Sequence, residues 1–155
     1  MHLLNRSASF TSNKWYLRKI YLTFIRSILE QSAVVWHSSL SAKNRRDLER
    51  VQKSAVKVIM GAKYTNYKEC LTELKIEDLN SRRKQLCLKF ARNCLKQNKV
   101  KSMFPKNITE HKMKKRKTRK FKVKFAKTKR YKKSAIPYMV KLMNDEEEAR
   151  KVIMK

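Results

Sequence analysis

Glycine and proline are nearly missing from this chain, one of the former and two of the latter in 155 residues. A turn-rich β-sandwich or barrel needs many corners at positive φ, so their scarcity argues against such folds and for helices joined by short connections. A lone glycine also excludes a phosphate-cradling loop. The cysteines, Cys70, Cys87 and Cys94, are odd in number and lack paired spacing, and the amino terminus has no apolar signal-like stretch. A disulfide framework and secretion are therefore not expected, whereas a reducing compartment, nuclear or cytoplasmic, is. No apolar run approaches the roughly 20 residues that span a bilayer. Acids are scarce as well, 12 against 41 lysines and arginines.

That imbalance leaves a formal net charge of +29. Self-repulsion at such density opposes a compact state unless a polyanion neutralises it, which makes RNA or DNA the leading partner class and an anionic membrane the second. The charge is concentrated toward the carboxyl end. Residues 1–100 hold 21 basic and 7 acidic side chains, and residues 101–155 hold 20 and 5.

Hydrophobic spacing predicts an all-α fold: a small bundle of three longer helices and one short one, then a basic extended arm and a short C-terminal helix. In the first helix Leu17, Ile20, Tyr21, Phe24, Ile25 and Ile28 recur at three and four, which places them on one arc. Ser41 reads as the N-cap of the second, whose stripe is Leu48, Val51, Ala55, Val58 and Ile59 and whose stop is Gly61, where a left-handed cap is needed. Residues 66–74 read as the short helix. Asp78 caps the next, which runs to about Lys96 with Leu86, Cys87, Leu88, Phe90, Ala91, Cys94 and Leu95 inward. From Asn98 to about Arg130 the periodicity fails and lysine dominates, although "KVKFA" alternates briefly enough to pair as a strand. Pro137 restricts the last helix by requiring a place in its first turn. The resulting segments are 1–97, 98–133 and 134–155.

Helical projection groups the cations. Arg46, Arg50, Lys53 and Lys57 share one face of the second long helix, and Arg82, Lys89, Arg92 and Lys96 share one face of the third. Like charges at this spacing repel by a few tenths of a kcal/mol per pair, so each row favours binding only beside an anion, the bland alternative being a solvated surface. The run 112–133 carries fourteen cations in twenty-two residues and no acid. Lys114, Lys115, Arg116, Lys117, Arg119, Lys120, Lys122, Lys124, Lys127, Lys129, Arg130, Lys132 and Lys133 are its candidate phosphate contacts, and counterion release would make binding weaken steeply with salt. Phe121, Phe125 and Tyr131 would either stack on exposed bases or anchor the arm to the bundle. "KKRK" at 114–117 also matches a nuclear-import patch, a common pattern in lysine-rich chains.

Catalysis finds no support. Nucleotidyl transfer needs carboxylates converging on divalent ions, yet the only aspartates, Asp47, Asp78 and Asp145, stand far apart in sequence. "NDEEE" at 144–148 reads as a charge-balancing patch. Cys87 and Cys94 lie on an apolar face with no further ligands at metal spacing, and nothing in the sequence supports a catalytic pair at His2 or His37. No cofactor or metal is implied.

Several consecutive segments resemble the carboxy-terminal region of reverse transcriptases from jockey-like non-LTR retrotransposons, a group of long interspersed elements. They are "IYLTFIRSILEQSAVVWHSSL" from Ile20, "DLERVQKSAVKVIMG" from Asp47, "LNSRRKQLCLKFARNCLK" from Leu79, "MFPKN" from Met103 and "KVKFAKTKRYKKSAIPYMVKLMN" from Lys122. In that family these segments form the helical thumb and the tail beyond it, which grip the template and primer while the palm performs RNA-directed DNA synthesis. The resemblance implies that Arg82, Lys89, Arg92, Lys96 and the basic run approach nucleic-acid backbone. It equally implies what is missing: the palm's paired catalytic aspartates, the fingers and the endonuclease have no counterpart here.

"MHLLNRSASF" resembles the middle of the family's palm-to-thumb connection, which would place Met1 inside a larger protein and make the chain a remnant or a partial gene model. Residues 111–120 are richer in lysine than the family pattern, and "NDEEEARKVIMK" has no counterpart in it. A thumb without its palm would expose apolar surface, for which Tyr16, Tyr21 and Trp36 are candidates, although Trp36 alone reads rather as core. The expectation is a non-catalytic fragment that binds RNA or DNA backbone. Two alternatives accompany it: the end of a complete reverse transcriptase, and a basic amphipathic protein on anionic membranes.

Overall fold

A computed structural model describes residues 1–106 and 119–153. The protein is all-α, and among the described residues the only β feature is an isolated antiparallel bridge between Lys106 and Phe121. The helices are α1 (His2–Phe10), α2 (Lys14–Ile20), a π-helical turn (Tyr21–Ile25), α3 (Arg26–Glu30), α4 (Ala33–Trp36), α5 (Ala42–Met60), α6 (Tyr67–Glu73), α7 (Leu79–Lys96), α8 (Asn98–Lys101), α9 (Lys129–Lys132) and α10 (Ala135–Ile153). They form two compact units, residues 1–33 with 40–84, and residues 34–39 with 85–155.

Local chemistry sets the helix ends. The side chain of Asn13 accepts from the N–H groups of Trp15 and Tyr16, that of Ser41 from Asn44, that of Asn66 from Lys68 and that of Asp78 from Ser81. Gly61 stops α5 at φ +53°, its N–H donating to the Lys57 carbonyl. At the end of α6 the N–H of Ile76 donates to Leu71 O and that of Lys75 to Thr72 O, a Schellman closure in which Lys75 occupies the left-handed position at φ +52°. Arg18 closes over the same end, its Nε donating to Leu74 O at 2.5 Å and a terminal nitrogen to Lys75 O at 3.3 Å.

The first unit buries Leu4, Leu17, Tyr21, Ala55, Val56, Ile59, Met60, Cys70, Leu71, Leu74 and Ile76 together. Helix α1 supplies Leu4 and is an element that periodicity did not announce, because nine residues are too few to establish a repeat. Lys14 through Glu30 is helical throughout, as the spacing predicts, but the π turn adds a residue and rotates the downstream residues by roughly 100° about the axis. Leu17 and Tyr21 stay buried while Phe24 and Ile28 turn to solvent. On α5 the buried line is Gln52, Ala55, Val56, Ile59 and Met60, whereas the expected stripe members Leu48, Val51 and Val58 are only half-buried.

Gln52 is wholly buried and fully satisfied. Tyr21 Oη donates to its Oε1 at 2.7 Å, and its Nε2 donates to Tyr67 Oη at 3.1 Å and to the Glu77 carbonyl at 3.0 Å. Tyr67 in turn donates to Glu49. Burial raises both phenols above the usual range, and for Tyr67 the Glu49 carboxylate adds to it, so both remain neutral donors.

In the second unit Cys87, Ala91 and Cys94 of α7 pack with Phe104, Phe121 and with Met139, Val140 and Met143 of α10. Asn144, buried beside them, receives the Phe121 N–H on Oδ1 at 3.0 Å and donates Nδ2 to the Phe121 carbonyl at 3.1 Å. His37 is buried in this unit, with Tyr138 Oη 3.2 Å from its Nε2.

These units cut across the segments expected at 97 and 133, because apolar side chains on both sides of those positions share one core. The last helix is not short but 19 residues long, with Pro137 in its first turn as required. Phe90, expected inward on α7, is exposed. Of the aromatics proposed as uncovered surface, Tyr21 is buried, Trp36 is half-buried and Tyr16 is exposed.

Candidate nucleic-acid interface

The described part of the basic run is held at one point. Phe121 is 4% exposed, fixed by the core around it and by the Asn144 amide, while the Lys122 N–H donates to Pro105 O at 2.9 Å. Phe121 is therefore an anchor and has no face left for a base. Phe125 is 86% exposed and Tyr131 partly so, which leaves them free to meet a ligand. "KVKFA" forms no strand.

Arg119, Lys120, Lys122, Lys124, Lys127, Lys129, Arg130, Lys132 and Lys133 are all exposed. Two of these nine are ion-paired: Lys120 to Glu147 at 2.5 Å and Arg119 to Glu148 at 4.0 Å. The other seven form no ion pair among the described residues. Lys114, Lys115, Arg116 and Lys117 lie outside the described residues.

The row on α7 divides between the units. Lys89, Arg92 and Lys96 belong to the second, share a face by their spacing and are exposed, with Arg92 ion-paired to Glu146. Arg82 belongs to the first unit and lies 3.4 Å from Glu30, whose carboxylate also accepts from Arg26 at 2.7 Å. Arg82 is thus engaged within its own unit. Its neighbour Arg83 is wholly buried, where burial pushes its pKa down against the charges of Glu49, Asp78 and Glu30.

On α5 the row Arg46, Arg50, Lys53 and Lys57 is exposed. Arg50 pairs with Asp47 at 2.9 Å and Lys57 lies 5.5 Å from the Tyr64 ring centre, while Arg46 and Lys53 form no ion pair among the described residues.

Periodicity missed the acids that answer these cations. Glu146 faces Arg92 and Arg150, and Glu147 faces Lys120. The Arg92 guanidinium holds the Glu146 carboxyl below the usual carboxylate range, and Lys120 does the same for Glu147. Consecutive glutamates point in different directions on a helix, so only the tertiary packing shows that each meets a base.

Among the described residues no three His, Cys, Asp or Glu side chains converge as a metal site, and no helix is long and apolar enough to cross a membrane. The chain matches no known family model, no curated protein and no solved structure.

Proposed function

We propose that this protein is a non-catalytic nucleic-acid-binding module that grips RNA or DNA through phosphate contacts. The observation that carries the proposal is the segment 119–133, anchored by Phe121 and presenting nine exposed cations, seven of them without an ion-pair partner among the described residues. Uncompensated cations at this density repel one another in the free protein, and a polyphosphate relieves that repulsion while releasing its own counterions. Lys89, Arg92 and Lys96 extend the same chemistry onto α7. None of these contacts reads a base edge, so little sequence preference follows.

The resemblance to the thumb and tail of a retrotransposon RNA-directed DNA polymerase supports a template-primer duplex as the ligand and the absent palm as the original packing partner. It assigns bond-making to that palm, and we propose none for the chain as it stands. A nuclear or cytoplasmic location accords with this role.

The test is a titration of the full chain against a labelled short RNA–DNA hybrid and against single strands, from about 50 to 200 mM salt. The expected result is an affinity that falls steeply, with a slope worth several counterions. An affinity indifferent to salt, or phosphatidylserine vesicles outcompeting RNA, would overturn the proposal.

A further inference from the structure

The second unit carries its own competitor for phosphate. Among the described residues, every ion pair in that unit ends on Glu146, Glu147 or Glu148 of α10: Arg92 and Arg150 on the first, Lys120 on the second, Arg119 on the third. Asp145, the adjacent acid, is exposed and forms no ion pair among the described residues. Three of these four cations, Arg92, Arg119 and Lys120, come from α7 and from the basic segment, the two elements assigned above to phosphate contact, while Arg150 belongs to α10 itself.

A carboxylate oxygen on a guanidinium or ammonium takes the position that a phosphate oxygen would take. We infer that the turn Glu146–Glu148 acts as an internal phosphate mimic, which a ligand must displace before Arg92, Arg119 and Lys120 can engage it. The inference rests on the proposed nucleic-acid function and adds a selection rule to it. An isolated phosphate exchanges one anion for another at these positions and gains little. A polynucleotide first held by Lys122, Lys124, Lys127 and their unpaired neighbours brings many phosphates at once and releases counterions as it displaces the glutamates. The turn therefore discriminates by charge density, favouring continuous strands over mononucleotides and short oligonucleotides.

The experiment compares Glu146→Gln/Glu147→Gln with Asp145→Asn in the full chain, measuring affinity for labelled polyuridylate at fixed low salt. The double variant is expected to bind about 5-fold tighter per molecule, the worth of two exposed ion pairs no longer broken on binding. Asp145→Asn, which removes charge without freeing a cation, is expected to change affinity by less than about 2-fold. A second readout is independent of folding changes in the variants: in the unaltered chain the Glu146 carboxyl, followed by carbon NMR, returns to the ordinary glutamate range or above when polyuridylate saturates the protein. Equal gains in the two variants, or a Glu146 titration unmoved by polyuridylate, would overturn the competitor while leaving the binding function standing. Failure of the unaltered chain and of every variant to bind would overturn both.

Discussion

The amide of Asn144 grips the backbone of Phe121 at both its donor and its acceptor, across 23 residues of sequence. This pair converts the middle of a lysine-rich stretch from free chain into part of a core. Asn144→Leu keeps the size of the side chain but leaves a buried N–H and a buried carbonyl without partners. A loss of about 2–4 kcal/mol is expected in urea denaturation, at about 1–3 kcal/mol for each orphaned group with partial relaxation.

Gln52 makes the corresponding prediction for the first unit. Gln52→Leu adds apolar volume to a buried site, and on hydrophobicity alone it ought to stabilise. It strands the Tyr21 hydroxyl and removes the amide that donates to the Glu77 carbonyl, so a net loss of about 2–3 kcal/mol is expected in chemical denaturation. Tyr21→Phe, which orphans only one acceptor, is expected to cost about half as much.

Phe121 and Phe125 separate packing from ligand contact. Phe121→Ala is expected to destabilise the protein by about 3–5 kcal/mol, the usual cost of emptying an aromatic site in a core. Phe125→Ala is expected to leave the melting temperature unchanged and to weaken binding to single-stranded RNA by about 1–3 kcal/mol in a fluorescence titration.

Lys75 stands in the left-handed position that normally belongs to glycine at the end of α6. Relief of that strain outweighs the added freedom of the unfolded chain. Lys75→Gly is expected to raise stability by about 0.5–1 kcal/mol, measurable as a higher denaturation midpoint.

Acid is expected to loosen the protein by a specific route. The carboxyls of Glu146 and Glu147 are held below their usual range by Arg92 and Lys120, and that of Asp78 is lowered although burial alone would raise it, because Ser81 and Asn80 hydrogen-bond its ionised form. A group whose folded pKa lies below its unfolded one stabilises fully above the unfolded value and progressively less as pH falls through the folded one. Stability followed by circular dichroism is therefore expected to hold down to about pH 5 and to decline below it. Glu146→Gln is expected to flatten that decline.

Helical content, the caps at Ser41 and Asp78 and the stop at Gly61 were legible in the sequence because each depends on a few neighbouring residues. The exposed row on α5 and the exposed Lys89, Arg92 and Lys96 of α7 were legible for the same reason, whereas the engagement of Arg82 with Glu30 was not. Phase errors arose where the backbone or a polar core residue broke the simple rule. A π turn cannot be read from spacing, so Phe24 and Ile28 looked inward, and Gln52 stands outside any apolar stripe because its burial depends on three partners distant in sequence. The base-stacking and anchoring roles of Phe121 and Phe125 could not be divided without Asn144. The glutamates were visible as charge, but their particular partners were not.

The second unit draws its segment 34–39 from within the span of the first. On a ribosome the chain emerges in order, at roughly 5–20 residues per second. The first core is complete in composition once Ile76 has appeared, whereas His37, already made, must wait for Tyr138, 101 positions later. A released fragment ending just beyond residue 84 is thus expected to protect Tyr21 from proteases while leaving Trp36 and His37 open to them. The protein's birth has two stages, and the lysine-rich segment 119–133 belongs to the later one.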